Sequence, residues 1–453
     1  MSSFTSKVAE MHDQKSCNHN ENSADKACEK PSGGESCAFD GSYIVLNPIR
    51  DAAHLVHGSI ACCGHSYEGR GSLSSGSKMY RNGFTTDLSE LDIIYGAENK
   101  LEQAIDHIAK RYSPSAIFVY STCIPGVTGE NIEDVSLKAQ QRLKLPVIPV
   151  NAPGFLGHKN LGNRIAGEAL LNYVIGTGEP DEDVSKLPTL NLIGEYNIAG
   201  ELWDVLPLFQ KLGVHVLSKM TGDADYKEIT HAHRAKASLL VCGRALINLA
   251  HGLEEKYGIP WKEVSFFGLH NIAEAMRATA SLFELSGFNL SSNAEDLISA
   301  EEAKTKLALK PYTDFLKGKK AVLYTGGVKS WSMISALNDL GMEVTGVGTK
   351  KSSQSDISKI TSLVGEERII SDPTPKNLQK IMKETNADIL IAGGRNQYMA
   401  YKEYIPYIDV NQEKHTPYAG YGGLIELARD IVNTIKTPVW EHVRKPAPWE
   451  NQQ

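Results

Sequence analysis

Residues 57 to 76 read HGSIACCGHSYEGRGSLSSG and bring two adjacent cysteines, two histidines and five glycines into one segment. A core cysteine usually stands singly on an apolar face, where it behaves as a small hydrophobe. Here the neighbours are glycine, serine and histidine, so the stretch reads as a polar, turn-rich loop whose backbone closely approaches something. The chain has seven cysteines, at 17, 28, 37, 62, 63, 123 and 242. Their odd number and the lack of any CxxC pair argue against a disulfide framework and disfavour zinc ribbons or fingers. Cys17 and Cys28 fall in a Ser/Asn/Glu/Lys-rich leader (1–36) and read as incidental thiols. That leaves Cys37, just before an apolar run (SYIVL) read as a strand, Cys62 or Cys63 in the glycine loop, and Cys123 and Cys242 at strand ends. Each alone is more often an inert core thiol. Converging thiolates would select an iron-sulfur cluster above other metals, because no comparable set of histidines and carboxylates is visible.

The elements that would position these thiols are short apolar runs alternating with amphipathic helices, which imply an α/β fold with parallel sheets. At 453 residues the chain exceeds one ordinary core, and roughly 150 residues per domain gives about three domains. In the first (37–186), AIFVYSTCIPG (116–126) and VIPVNAPGF (147–155) each read as a strand running into a loop. Ligands of open α/β sheets sit off the carboxyl ends of strands, so Cys123 is well placed. After the acidic linker 178–188, the second (187–315) has strands at 190–194, 214–218 and 238–242, the last ending in Cys242, then a helix over 245–257. The third (316–440) opens with GKKAVLYTGG (318–327), followed by a helix over 330–341, and repeats the glycine ending in ADILIAGG (387–394). Its closing helix sets Leu424, Leu427, Ala428, Ile431, Val432 and Ile435 on one face, which is core packing. A tail (441–453) follows.

Both glycine loops are followed by a cation, Lys329 and Arg395, which suits a carboxylate or another anion. A nucleotide-binding protein is the competing reading, but neither loop completes GxxxxGK[ST] or GxGxxG. The net charge of −7, with no basic stripe, argues against nucleic acid. No run of eighteen apolar residues occurs and the N-terminus is polar, so a cytoplasmic protein without membrane attachment is expected.

CAFDG (37–41), HGSIAC (57–62), GFTTDLSELDIIYG (83–96), STCIPG (121–126), KNLGNRIAGEALLNYVIG (159–176), NLIGEYNIAGELW (191–203) and YTGGVKSWSM (324–333) carry a resemblance. From about residue 37 to about 436 the chain resembles the NifE family, the E subunits of the nitrogenase cofactor-assembly scaffold, itself similar to the nitrogenase α subunit. The resemblance implies three Rossmann-like domains of nitrogenase component 1 type and an α2β2 heterotetramer with an N-type subunit. It implies that Cys37, Cys62 and Cys123 ligate a 4Fe-4S cluster at the subunit boundary, the fourth thiolate coming from the partner. Cys63 departs from the family pattern and is expected to point away. Cys242 matches the ligand of one terminal iron of an eight-iron precursor.

The implied work is to accept that precursor from its donor and to host its maturation with molybdenum and homocitrate brought by the nitrogenase iron protein. The product passes to apo-nitrogenase. Lys329 and Arg395 match positions that contact homocitrate or cluster sulfides. Where a catalytic α subunit has a glutamine and a histidine pair, this chain has Lys159 and Asn163-Arg164. The molybdenum-ligating histidine falls near Asn411. Lys159, Asn163 and Asn411 thus join the expected cofactor contacts, and their amides and amine favour a scaffold over a turnover enzyme. The vanadium-system scaffold, a catalytic nitrogenase α chain and a related reductase are the remaining alternatives.

Overall fold

The computed structural model describes residues 36–68, 72–241, 243–350 and 352–446. Cys17, Cys28, Cys242, nearly all of the leader and the end of the tail lie outside the described residues. Three wholly parallel sheets follow one another along the chain. In the first, β1 (Ala53–His57), β2 (Phe84–Thr85), β3 (Ile117–Ser121) and β4 (Val147–Asn151) pair in the order β2-β1-β3-β4. The second holds β5 (Thr189–Ile193), β6 (His215–Met220), β7 (Ala237–Leu240) and β8 (Trp261–Glu263) in the order β6-β5-β7-β8. The third places β9 (Lys320–Tyr324), β10 (Glu343–Gly348), β11 (Ile369–Ile370), β12 (Ile389–Ala392) and β13 (Tyr407–Asp409) in the order β11-β10-β9-β12-β13.

Helices cover these sheets on both faces, so central strands are buried throughout and appear in sequence as continuous apolar runs. The second sheet serves two cores at once. Alternate side chains of a strand point to opposite faces. Leu190, Leu192 and Leu239 therefore pack with Leu323, Ile391 and Leu427 of the third sheet and its closing helix. Ile193 and Leu240 turn the other way, toward Val56, Phe118 and Leu170. The expected apolar face of the closing helix, Gly420–Lys436, is buried from Leu424 to Val432, with Ile435 partly covered against the same core.

Two local expectations are corrected. SYIVL is not a strand but the end of the helix Ala38–Leu46, all nine residues of which are buried. A helix buried on every side carries no 3.6-residue polar alternation, and a run of Tyr, Ile and Val then mimics a strand. Residues 60–68 are likewise not a loop but the helix Ile60–Glu68, entered through Ser59, whose hydroxyl accepts from Ala61 N–H at 3.1 Å.

The 38–46 helix is held by the helix Lys159–Tyr173 at very close range. A Cβ on Gly162 would overlap the carbonyl of Ala38, and one on Gly41 the carbonyl of Lys159. The Asn163 amide closes the crossing, donating to Gly41 O at 2.8 Å and to Lys159 O at 3.2 Å. Since the atoms in the way are backbone, neither helix can yield by turning a side chain. Gly162→Ala is expected to destabilise the fold by about 2 kcal/mol or more, read as an earlier denaturant midpoint.

Candidate functional site

Three of the expected thiols meet where three helices begin. Cys37 is the N-cap of the 38–46 helix, Cys62 lies in the first turn of the 60–68 helix, and Cys123 opens the helix Cys123–Thr128 just beyond β3. The carboxyl ends of β1, β3 and β4 bring them together. Thr122, next to Cys123, donates its hydroxyl to His57 O at the end of β1, at 2.9 Å. Cys37 pairs as an isolated bridge with His158, and Lys159 N–H donates to Ser36 O at 3.0 Å.

Gly154 lies at the centre. A Cβ there would stand 3.0 Å from the Cys37 sulfur and 3.1 Å from that of Cys123, so the two sulfurs are no further apart than those lengths laid end to end. Cys62 is near enough to both for their charges to act on its thiol. Cys63 is not part of the group. It is 5% exposed, and its thiol points to Phe84 O at 3.7 Å.

Burial pushes the Cys62 thiol above the ordinary range, and the nearby Cys123 and Cys37 thiols add to this. Burial likewise raises Cys37, against a lowering contact with the Asp40 backbone N–H. Without a metal these two thiols stay protonated at neutral pH, so a metal must displace protons to bind them. The helix N-termini favour the negative charge that results. Among the described residues, no three His, Cys, Asp or Glu side chains are grouped as ligands of one metal ion. Thiols set this far apart suit a polynuclear cluster instead.

Around them the surface is apolar. Ile60, Leu91, Ile94, Tyr95, Val127 and Phe155 are all exposed, Tyr95 to 83% and Val127 to 77%. The short helix Glu90–Tyr95 has no buried residue, although a Ser89–Asp92 capping box fixes its start. Apolar side chains held out in this way mark a surface meant to be covered.

Gly154→Val tests the arrangement without removing a thiol. Gly154 has no positive φ, so the backbone accepts a side chain, but the added methyl groups must displace two sulfurs. Iron bound at the site is expected to fall by about half or more, since small errors around metal ligands cost tenfold or more in affinity. Iron per folded chain is the measurement.

Three of the remaining expected residues, Lys329, Arg395 and Asn411, gather at the carboxyl ends of β9, β12 and β13. Asn411 follows β13, and its amide nitrogen lies against Gly393 of one glycine loop and 3.5 Å from Thr325 O of the other. Lys329, in the first turn of the helix Val328–Asp339, donates to Val410 O at 3.0 Å. Arg395 is exposed on the short turn Gly394–Asn396. Lys159 starts the 159–173 helix and is half-buried, whereas Asn163 is buried and spends both amide hydrogens on the helix crossing. Burial raises the Asp409 carboxyl, opposed by Asn411 N–H and helped by Glu413.

Three features went unread in the sequence. Gly154 is one. The second is His57, buried before the thiol helix, with Nε2 2.7 Å from Glu130 and Nδ1 3.0 Å from Thr86. Burial lowers its affinity for a proton and Glu130 opposes this. The third is Lys414, buried against Glu201, its ammonium pulled down to about 8 by burial. His57 stands in the quoted glycine-rich segment, but nothing local points to Glu130 or Glu201.

Residues 37–436 match the family model described as nitrogenase component 1 type oxidoreductase. The chain is similar to the nitrogenase iron-molybdenum cofactor biosynthesis protein NifE of Rippkaea orientalis, at 51% identity over 98% of this chain and 96% of that one. The protein of the same name from Klebsiella pneumoniae is 46% identical over 96% and 98%. Among solved structures, nitrogenase Cp1 at pH 5 superposes with a TM-score of 0.83 at 27% identity, covering 93% of each chain.

Proposed function

Since the chain belongs to the nitrogenase component 1 type oxidoreductase family, and within it to the NifE proteins, we propose that it is a scaffold subunit for building the iron-molybdenum cofactor of nitrogenase. The observation that carries the reading is the meeting of Cys37 and Cys123 at Gly154, with Cys62 near enough for their charges to act on it, beside an exposed apolar rim. Three thiols leave a four-thiolate site one short, and an apolar rim needs a cover. An N-type partner subunit bringing the fourth thiolate supplies both, in an α2β2 complex. A 4Fe-4S cluster held there would supply one-electron chemistry and a covalent link between subunits. This chain's part is to hold three thiols at helix N-termini and to exclude water with the rim.

The cargo is a separate matter. An eight-iron precursor, handed over by its donor, is bound by Cys242 in the second domain (187–315). It faces the glycine loops of the third (316–440), while the first (37–186) carries the boundary thiols and the leader and tail lie outside. Lys329 and Arg395 hold the anionic precursor and homocitrate by charge, Lys159 at the start of the 159–173 helix is a further contact, and Asn411 offers a neutral amide at the far end. Asn163 acts through the helix crossing, since its donors are engaged there. The nitrogenase iron protein brings molybdenum and homocitrate, and apo-nitrogenase takes the product. Molybdenum is preferred to vanadium because the relatives cited carry iron-molybdenum in their names. No described helix is long and apolar enough to cross a membrane, which accords with work in the cytoplasm.

The test is direct. The chain purified anaerobically with its partner should carry iron and molybdenum and should activate apo-nitrogenase. A complex with parental folding that carries no iron would end the proposal.

A further inference from the structure

Residues 409–414 touch residues of all three domains. Asp409 Oδ1 accepts from Asn411 N–H at 2.7 Å, and the Asn411 amide lies between the two glycine loops. Gln412 lines a cavity of about 20 Å³ with Asn47 and Ser72 of the first domain. Glu413 packs against Gly394. Lys414 crosses to the second domain and donates to Glu201 at the start of the helix Glu201–Leu212.

That ion pair is fully enclosed. The side chains of Lys414 and Glu201 are 2% and 0% exposed. The second oxygen of Glu201 accepts from Ala199 N–H at 3.0 Å, which fixes the carboxylate before the lysine reaches it. Phe267 is shared by Lys414 and Lys329, with ring-centre distances of 5.9 Å and 5.4 Å to the two ammonium nitrogens. One aromatic ring therefore connects the enclosed cation with the cation that faces the glycine loops. Asp409 accepts from Asn411 N–H and from the Tyr407 hydroxyl, and Glu413 packs against Gly394, all within the third domain.

We infer that Lys414 and Glu201 form a positioning pair that pins the 409–414 segment, and Asn411 with it, across the glycine loops and so sets how long an anionic iron-sulfur cargo is retained. The inference deepens the scaffold reading and rests on it for the nature of the cargo. An enclosed pair cannot be exchanged for water contacts without opening the segment, so its loss is a loss of position and not only of charge.

The experiment uses the anaerobic complex with the partner subunit. In the double variant Lys414→Met, Glu201→Gln, hydrogen exchange of amides 409–418 in the cargo-free complex is expected to quicken about tenfold or more, with amides 38–46 unchanged. Iron and molybdenum followed after gel filtration should leave the variant about tenfold faster, while the iron at the three thiols stays at the parental level. Glu201→Asp keeps both charges and shortens one arm, and should fall between the two. It also serves if the double variant does not assemble. Unchanged exchange and retention in the variants would overturn the inference, as would an equal loosening of residues 38–46, which would mean a general loss of structure. If the parent itself carries no releasable cargo, the scaffold reading fails, and exchange in the cargo-free complex still decides whether the pair pins the segment.

Discussion

Cys62→Ala is expected to strip iron from the three-thiol site, while Cys63→Ala leaves it in place. The two residues are neighbours on one helix, where successive side chains diverge by about 100°. One therefore faces Cys37 and Cys123 and the other faces the core, where Cys63 meets Phe84 O. A perturbed neighbour of a metal ligand already costs about 10- to 100-fold in affinity, so loss of the ligand itself should lower bound iron at least tenfold. Cys63→Ala removes a small buried group and should cost about 1 kcal/mol of stability, leaving the iron unchanged. The reduced cluster's paramagnetic signal and iron per complex are the readouts. Parental iron in Cys62→Ala, or iron loss in Cys63→Ala at full stability, would refute the assignment.

A second large effect is expected at the other site, and it has opposite signs at the two ends. Cys242→Ala removes the only soft anionic ligand proposed for the precursor and should abolish loading. Asn411→His places an imidazole where an amide now lies against Gly393 and Thr325 O, and imidazole is much the better metal ligand. With a second coordinate bond the cargo is no longer held at one end with charge from Lys329 and Arg395, an attraction that salt weakens once the site is open. Delivery to apo-nitrogenase should slow about tenfold, in line with what ligand changes do to metal affinity. Nitrogenase activity recovered against time, with iron and molybdenum counted on the scaffold, measures both. Should Asn411→His load normally and deliver as fast as the parent, the idea of a cargo tethered at one end fails.

The parallel α/β layers were legible because buried strands leave continuous apolar runs, and β3, β4, β9 and β12 fall within the runs read as strands, while β5, β6 and β7 overlap them. β1, β2, β8, β10, β11 and β13 were missed: β2, β8, β11 and β13 are only two or three residues long and too brief to show any period, while His54 and His57 break the apolar run of β1 and Gly346 and Gly348 that of β10. The 38–46 helix was hidden by its own complete burial. Within the site, residue types pointed to a cluster, but the choice of Cys62 over Cys63 depended on the resemblance, since adjacent thiols look alike in a sequence. Gly154 could not have been singled out. Its importance lies in two sulfurs brought from residues 37 and 123, and only the folded chain brings them near.

The double service of the second sheet has a consequence in time. Translation releases the chain from its N-terminus, yet the core beneath the thiol-bearing helices includes Leu240, Leu249 and Ile259. Until those residues leave the ribosome, Tyr43 and Leu170 have only part of their eventual covering, and the 38–46 helix has no settled place. The opposite face of the same sheet waits longer still, for Leu427 and Ile431 near the far end of the chain. Neither half can therefore mature as an early, self-contained unit during synthesis, as independent domains commonly do. The thiols reach their final positions only once the chain has emerged past Ile259, more than half its length, so a product that stops earlier lacks the floor on which the three sulfurs converge.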